Sequence, residues 1–393
     1  MRTPKILLAV LLCVACNDAA PADERIRRAA HGDGDLVIAA AWPWQRRADI
    51  HYGEGLDMAV AEVNAAGGIL GRRLRIERHD DAESLDEGAI VAQRIAANPD
   101  VVAVIGHLQS YVTVPAAAIY EHGGLVLVAP TATDPELTTH GYHHVFRATV
   151  TDRDTGRQLA DYAKHRFRRV GICYIRNTYG RSLANAFEER ANEIGLTVAA
   201  RRSYELGDEI GARAFEPIIR EWRTLELDGI FLAGEVPSAA LFVAQARAAG
   251  LDVPIIGGDA LGAPTLMTIA GHAAEGIVVA SFFHPDDPRA EVQQFGAAFR
   301  ARLGYGPDTG SALGYDAIHL LARAIKRAGS AAPNDIARAL TEMPLWTGVT
   351  GPFQFDKQGG AIGKRLVLTQ VRDGRFIFVD PGTALSASDP APR

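Results

Sequence analysis

From residue 35 onward, short continuous apolar runs alternate with longer stretches whose apolar positions recur at helical spacing. Leu36–Ala41 reads as a strand buried on both faces, and Gly55–Ala66 as a helix with Leu56, Ala59, Val60 and Val63 on one side. Gly67 and Gly68 stop that helix, because glycine accepts the left-handed backbone past a helix end. Leu74–Asp80 follows as a strand in which Leu74 and Ile76 alternate with arginines. A helix over 84–97, a strand over Val101–Gly106, a helix over 112–121 and a strand over Leu125–Ala129 complete a first series. A second series begins at the strand Val170–Ile175. It continues through a helix over 180–194, strands Val198–Tyr204 and Leu227–Ala233, a helix over Ser238–Ala249, and strands Pro254–Gly257 and Ile277–Phe283. Unbroken apolar strands alternating with helices predict parallel sheets covered on both faces. Two such series predict an α/β protein of two doubly wound lobes.

The first residues follow a different pattern. Arg2 and Lys5 precede the apolar run Ile6–Ala15, which is too short to span a bilayer and ends on small residues before Cys16. This is the pattern of an export signal over residues 1–16, with Cys16 expected to carry lipid. The match to a lipidation motif departs at Cys13, where leucine is usual. Residues 17–34, polar and alanine-rich, read as a flexible tether.

Composition narrows the possibilities. A chain of 393 residues with 48% hydrophobic and 22% charged residues has apolar surface enough for two cores. A net charge of −6 argues against a nucleic-acid partner, which selects for a basic face. Of the three cysteines, two lie in the leader, and Cys173 falls in an apolar strand as core filling. Packing rather than a disulfide must therefore hold the mature chain together.

Ligands of open parallel sheets bind beyond the carboxyl ends of the strands. There the sequence places Trp42-Pro43-Trp44, His107-Leu108-Gln109-Ser110 and Pro130-Thr131-Ala132-Thr133 in the first series. In the second it places Asn177-Thr178-Tyr179, Glu235 and Asp259. Hydroxyls at helix starts suit a carboxylate, and Asp259 suits an ammonium. The set fits a zwitterion, although Ser110 and Thr133 also make ordinary helix caps.

At residues 56–80 (LDMAVAEVNAAGGILGRRLRIERHD), 104–115 (VIGHLQSYVTVP), 128–142 (VAPTATDPELTTHGY) and 244–250 (AQARAAG), the chain resembles the leucine/isoleucine/valine-binding proteins. These are type I periplasmic binding proteins that serve ABC transporters. The resemblance runs from about residue 35 to about 380. It implies two Rossmann-like lobes joined by three crossovers and closing like a hinge, with residues 35–149 plus 284–360 in one lobe. Residues 150–283 plus 361–385 make the other, with strands at Arg365–Thr369 and Arg375–Val379, and 386–393 form a disordered tail. The implied function is capture of a small amino-acid-like ligand for an ABC permease, without catalysis or cofactor and with only a lipid anchor touching the membrane. The alternative expectation for this chain is a sensor or binder of amides, urea or aromatic acids with the same fold.

Carried over by position, Ser110 takes the ligand carboxylate, Thr133 contacts its backbone, and Thr131 and Ala132 contribute main-chain groups. Tyr179 closes over the ligand and Asp259 neutralises its ammonium, with Leu108 beside them. The departures concern the ligand's side chain. Trp42 and Trp44 stand in a first loop that carries Ala48 where a tyrosine is common, and Glu235 replaces an aromatic. Glu83 and Gln109 occupy the places of a cysteine pair. Trp42, Trp44 and Glu235 are therefore expected to shape a pocket for a polar, cationic or aromatic side chain rather than for leucine.

Other signals are weaker. His140, His143 and His144 read as a solvated loop rather than a metal site, and His107 with Ser110 lacks the orienting acid of a nucleophile pair. The leader stands where a helix-turn-helix of a regulator would begin, and no later apolar run is long enough for the membrane span of a receptor.

Overall fold

The computed structural model describes residues 20–31, 34–205 and 214–379. The leader with Cys16 and the tail 386–393 lie outside the described residues. The first sheet runs β2-β1-β3-β4-β5, all parallel, from β1 (Leu36–Trp42), β2 (Leu74–Asp80), β3 (Val101–Gly106), β4 (Val126–Ala129) and β5 (Val145–Arg147). Every residue of β1, β3 and β4 is buried, as strands covered on both faces must be. The second sheet repeats this order with β6 (Arg169–Ile175), β7 (Thr197–Tyr204), β8 (Gly229–Ala233), β9 (Ile255–Gly257) and β10 (Val278–Ser281). A hairpin, β11 (Trp346–Gly348) with β12 (Gly351–Phe353), stands apart. Two antiparallel strands, β13 (Val367–Arg372) and β14 (Arg375–Val379), close the second sheet beside β10.

The helices α2 (Tyr52–Ala65), α3 (Leu85–Ala97) and α4 (Ser110–His122) cover the first sheet. The second is covered by α5 (Asp152–Lys164), α6 (Thr178–Ile194), α7 (Glu216–Trp222), α8 (Ser238–Ala248) and α9 (Thr265–Ala270). After β10 the chain returns to the first lobe as α10 (Ala290–Leu303), α11 (Thr309–Ala328) and α12 (Pro333–Thr341). The helices α2 and α11 cross so closely that a Cβ on Gly55 would lie 2.0 Å from the Ser311 carbonyl oxygen. That crossing sets the start of α11 against the cleft.

The segment expected to be a tether is different. Residues Ala20–His31 form a helix, α1, packed on the base of the first lobe. Its anchor is Arg25, which is fully buried. The guanidinium donates to the carbonyls of Val101 (2.7 Å), Gly123 (2.8 Å), Ala96 (2.7 Å) and Asn98 (3.1 Å). Three of these belong to the ends of α3 and α4, where carbonyls lack helical partners and the dipole favours a cation. Few apolar residues mark α1, so its composition reads as solvated. Nor is the histidine loop fully solvated: His144 is partly buried, bonded to Glu121 (3.2 Å) and Asn334 (2.7 Å).

Candidate functional site

In each sheet the strand order reverses between the first and third strands, opening a crevice at their carboxyl ends. The two crevices face one another across a cavity of about 120 Å³ lined from both lobes. Pockets for drug-sized molecules run to roughly 300 Å³ and above, so this one suits a smaller ligand. The lobes touch around it. Arg47 on the first donates to the Val236 carbonyl on the second (3.1 Å), and Thr265 on the second donates to Asp49 on the first (2.5 Å).

On the first lobe Ser110, Thr131, Thr133 and Leu108 all line the cavity. Ser110 opens α4, and its Oγ accepts from the Asp134 amide at 3.4 Å, leaving its own proton for a ligand. Thr131 is a pin for the loop: its hydroxyl donates to the His107 and Leu108 carbonyls, each at 2.9 Å. Ala132 is not among the lining residues, because its methyl is buried in the core of the first lobe. His107 turns away from Ser110 and is spent between Asp81 (2.6 Å) and Tyr120 (3.0 Å).

On the second lobe Tyr179 and Asp259 meet at the cavity wall. The phenol donates to Asp259 Oδ1 and accepts from the Ala260 amide, both at 3.3 Å. Gly258 permits this approach, since a Cβ there would lie 2.3 Å from the Tyr179 oxygen. Burial pushes the Asp259 carboxyl up to about 6, against the pull of the hydrogen bonds it accepts. Burial also raises the Tyr179 phenol well above its ordinary range, so it remains a donor. An ammonium beside Asp259 would restore what burial takes from the carboxylate.

Beneath these groups lies Asp152, which sequence reasoning missed. It is the first residue of α5, its amide donates to the Thr133 carbonyl at 2.8 Å, and its carboxyl is completely buried. Burial drives that carboxyl well above its ordinary range. The Thr133 hydroxyl, the next largest influence, pulls it down, and the charge of Asp259 adds to the rise. Its place just after a crossover resembles an ordinary helix start, so no sequence signal marks it.

The expected side-chain wall is rearranged. Trp42 stacks on Tyr52 with centroids 3.9 Å apart and is nearly all buried, although it still borders the cavity. Trp44 is absent from the lining: its indole donates to the His79 carbonyl (3.1 Å) at the sheet edge and lies under Arg78. The cause is a turn closed by the Arg47 amide on the Pro43 carbonyl (2.9 Å), which carries Trp44 outward and Arg47 inward. Glu235 also lies outside the lining. It is 3% exposed and accepts from Asn177 Nδ2 at 2.7 Å, and burial, chiefly, raises its carboxyl to about 7. The wall instead presents Arg47, Gln109, Ile50, Phe282 and Leu313. Arg47 pairs with Glu83, and Gln109 donates to the same Glu83 oxygen. Nothing in the sequence separates buried Arg47 from exposed Arg46.

The family model described as periplasmic binding protein matches residues 49–375. The chain belongs to the periplasmic binding protein family. Among its relatives in this family, Leu/Ile/Val-binding protein homolog 1 of Brucella abortus (strain 2308) is 31% identical, over 78% of this chain and 81% of its own length. The leucine-specific-binding protein of Salmonella typhimurium is 30% identical over 92% of this chain and 95% of its own. An ABC transporter substrate-binding protein of Desulfitobacterium hafniense, solved in complex with Leu, is 38% identical with a TM-score of 0.78. That match covers 88% of this chain and 100% of the other. The two doubly wound lobes described above are those of a type I periplasmic binding protein.

Proposed function

We propose that this protein is an exported solute-binding protein that closes over an α-amino acid and delivers it to an ABC importer. The observation that carries this reading is the opposition of Ser110 and the start of α4 to the Asp259–Tyr179 pair across one small cavity. The hydroxyls and helix start receive the ligand carboxylate, with Thr133 beside Ser110. Asp259 receives the ammonium, and Tyr179 holds Asp259 in place. The amino-acid and leucine binders among the relatives support the same head group. The protein works by binding alone: His107, the base nearest Ser110 in sequence, is engaged elsewhere. Its anchor is lipid on Cys16 at the end of the export signal.

A thermal-shift panel of amino acids, simple amides and aromatic acids tests the reading. Stabilisation by α-amino acids, lost when the amine or carboxylate is blocked, is the expected result; stabilisation only by ligands without an amine refutes it. The anchor is tested separately: Cys16→Ser should release the protein from the membrane fraction, and unchanged fractionation and mass reject the lipid.

A further inference from the structure

The wall of the cavity formed by Arg47 and Gln109 is more specific than a polar surface. Arg47 is 8% exposed, and its Nε and Nη2 are used on Glu83 and on the Val236 carbonyl. Among the described residues its Nη1 makes no hydrogen bond, although Arg47 lines the cavity. Gln109 is 9% exposed and lines the same cavity. Its amide orientation follows from chemistry, because the Glu83 carboxylate paired with Arg47 can only accept, so Nε2 must face it. That leaves Gln109 Oε1 as an acceptor with no hydrogen bond among the described residues. Both side chains meet the same Glu83 oxygen and line the same cavity, so that cavity holds a spare donor and a spare acceptor.

We infer that the ligand is an α-amino acid whose side chain ends in a neutral carboxamide or ureido group, its carbonyl accepting from Arg47 and its N–H donating to Gln109. This rests on the amino-acid reading of the head-group end. The charges select among side chains. Glu83 already offsets Arg47, so an anionic ligand gains no unpaired cation and meets Glu83, Glu235 and Asp259 nearby. A cationic side chain would stand against the guanidinium itself. A branched aliphatic side chain would exclude water from the Nη1 donors and from Oε1 while offering them nothing, the costly outcome for buried polar groups. A terminal amide satisfies both and leaves Ile50, Leu108, Phe282 and Leu313 to pack on its methylenes.

Titration calorimetry on the full-length mature protein, stripped of ligand by unfolding and refolding, tests this with glutamine, asparagine, citrulline, leucine, isoleucine, glutamate and arginine. At least one amide or ureido ligand should bind about tenfold or more tighter than leucine, glutamate and arginine, the order of one or more buried hydrogen bonds. Gln109→Leu should shrink that preference at least several-fold and improve leucine, with an unchanged ligand-free melting temperature reporting intact folding. Leucine or isoleucine binding tightest, or an amide preference unmoved by Gln109→Leu, overturns the inference while leaving the amino-acid reading intact. Failure of every α-amino acid to bind overturns both.

Discussion

On the amino-acid reading proposed above, the ligand ammonium meets Asp259. A carboxyl whose ordinary value is 3.8 is held near 6 by burial, and only hydrogen bonds resist that shift. An arriving ammonium needs the ionised form, so binding expels whatever proton the site holds. The sign follows: affinity should be level above about pH 6 and weaken toward about tenfold per pH unit below it, followed by calorimetry from pH 4.5 to 8. Asp259→Asn keeps the shape and removes the charge, leaving a ligand ammonium unpaired at a cost on the order of 3 kcal/mol. Binding should weaken about a hundredfold or more, and the step near pH 6 should vanish. A variant that binds as tightly as the parent, or that retains the pH step, would assign the ammonium to another group. Glu235, raised to about 7 by burial, titrates in a neighbouring range. The comparison should therefore be repeated in Glu235→Gln, where the Asp259 step must persist.

At the scale of elements, α1 deserves a place in the fold rather than before it. One arginine ties it to the ends of two helices and to the start of β3. Burial lowers the Arg25 guanidinium to about 10, yet it stays charged at neutral pH and its carbonyl partners remain satisfied. Arg25→Met keeps most of the apolar stem and removes those hydrogen bonds. The expected loss is about 2 kcal/mol or more in urea unfolding, because hydrogen bonds to a charged group contribute roughly 1.5–3 kcal/mol each and water recovers only part. A variant as stable as the parent would return α1 to the status of a tether. The docked helix also shortens the free chain. If Cys16 carries lipid, few residues separate the anchor from a helix fixed to the first lobe, so the base of that lobe is held near the bilayer.

For the whole molecule, the cavity and the cross-lobe bonds of Arg47 to Val236 and Thr265 to Asp49 exist only with the lobes together. The chain crosses between lobes at three places, between β5 and α5, between β10 and α10, and between β12 and β13, so rotation about these segments is the low-cost motion. A ligand touching both walls binds the closed form better and shifts the population toward it. Small-angle scattering should therefore give a smaller radius of gyration with saturating amino acid than without. An unchanged radius at saturation would mean that the lobes do not open in solution.

The alternation of strands and helices is written locally, in the spacing of apolar residues, and the elements read from that spacing lie within a few residues of where it puts them. The places of Ser110, Tyr179 and Asp259 on the cavity wall were legible for a related reason. They follow strand ends, and in a parallel sheet every strand end points at the same crevice. What depends on the direction of one side chain over a turn was not legible. Trp44 and Arg47 sit in one polar loop, and the hydrogen bond closing it sends the tryptophan to the sheet edge and the arginine to the cavity. Arg25 looks solvated until the carbonyls of Ala96 and Val101, 71 and 76 residues further along the chain, are brought to it. The sequence alone determined the periodicity and the two lobes. Tertiary structure decided which polar residues are buried, because a buried donor is defined by its acceptor, and the acceptors here come from distant segments and, for Arg47, from the opposite lobe.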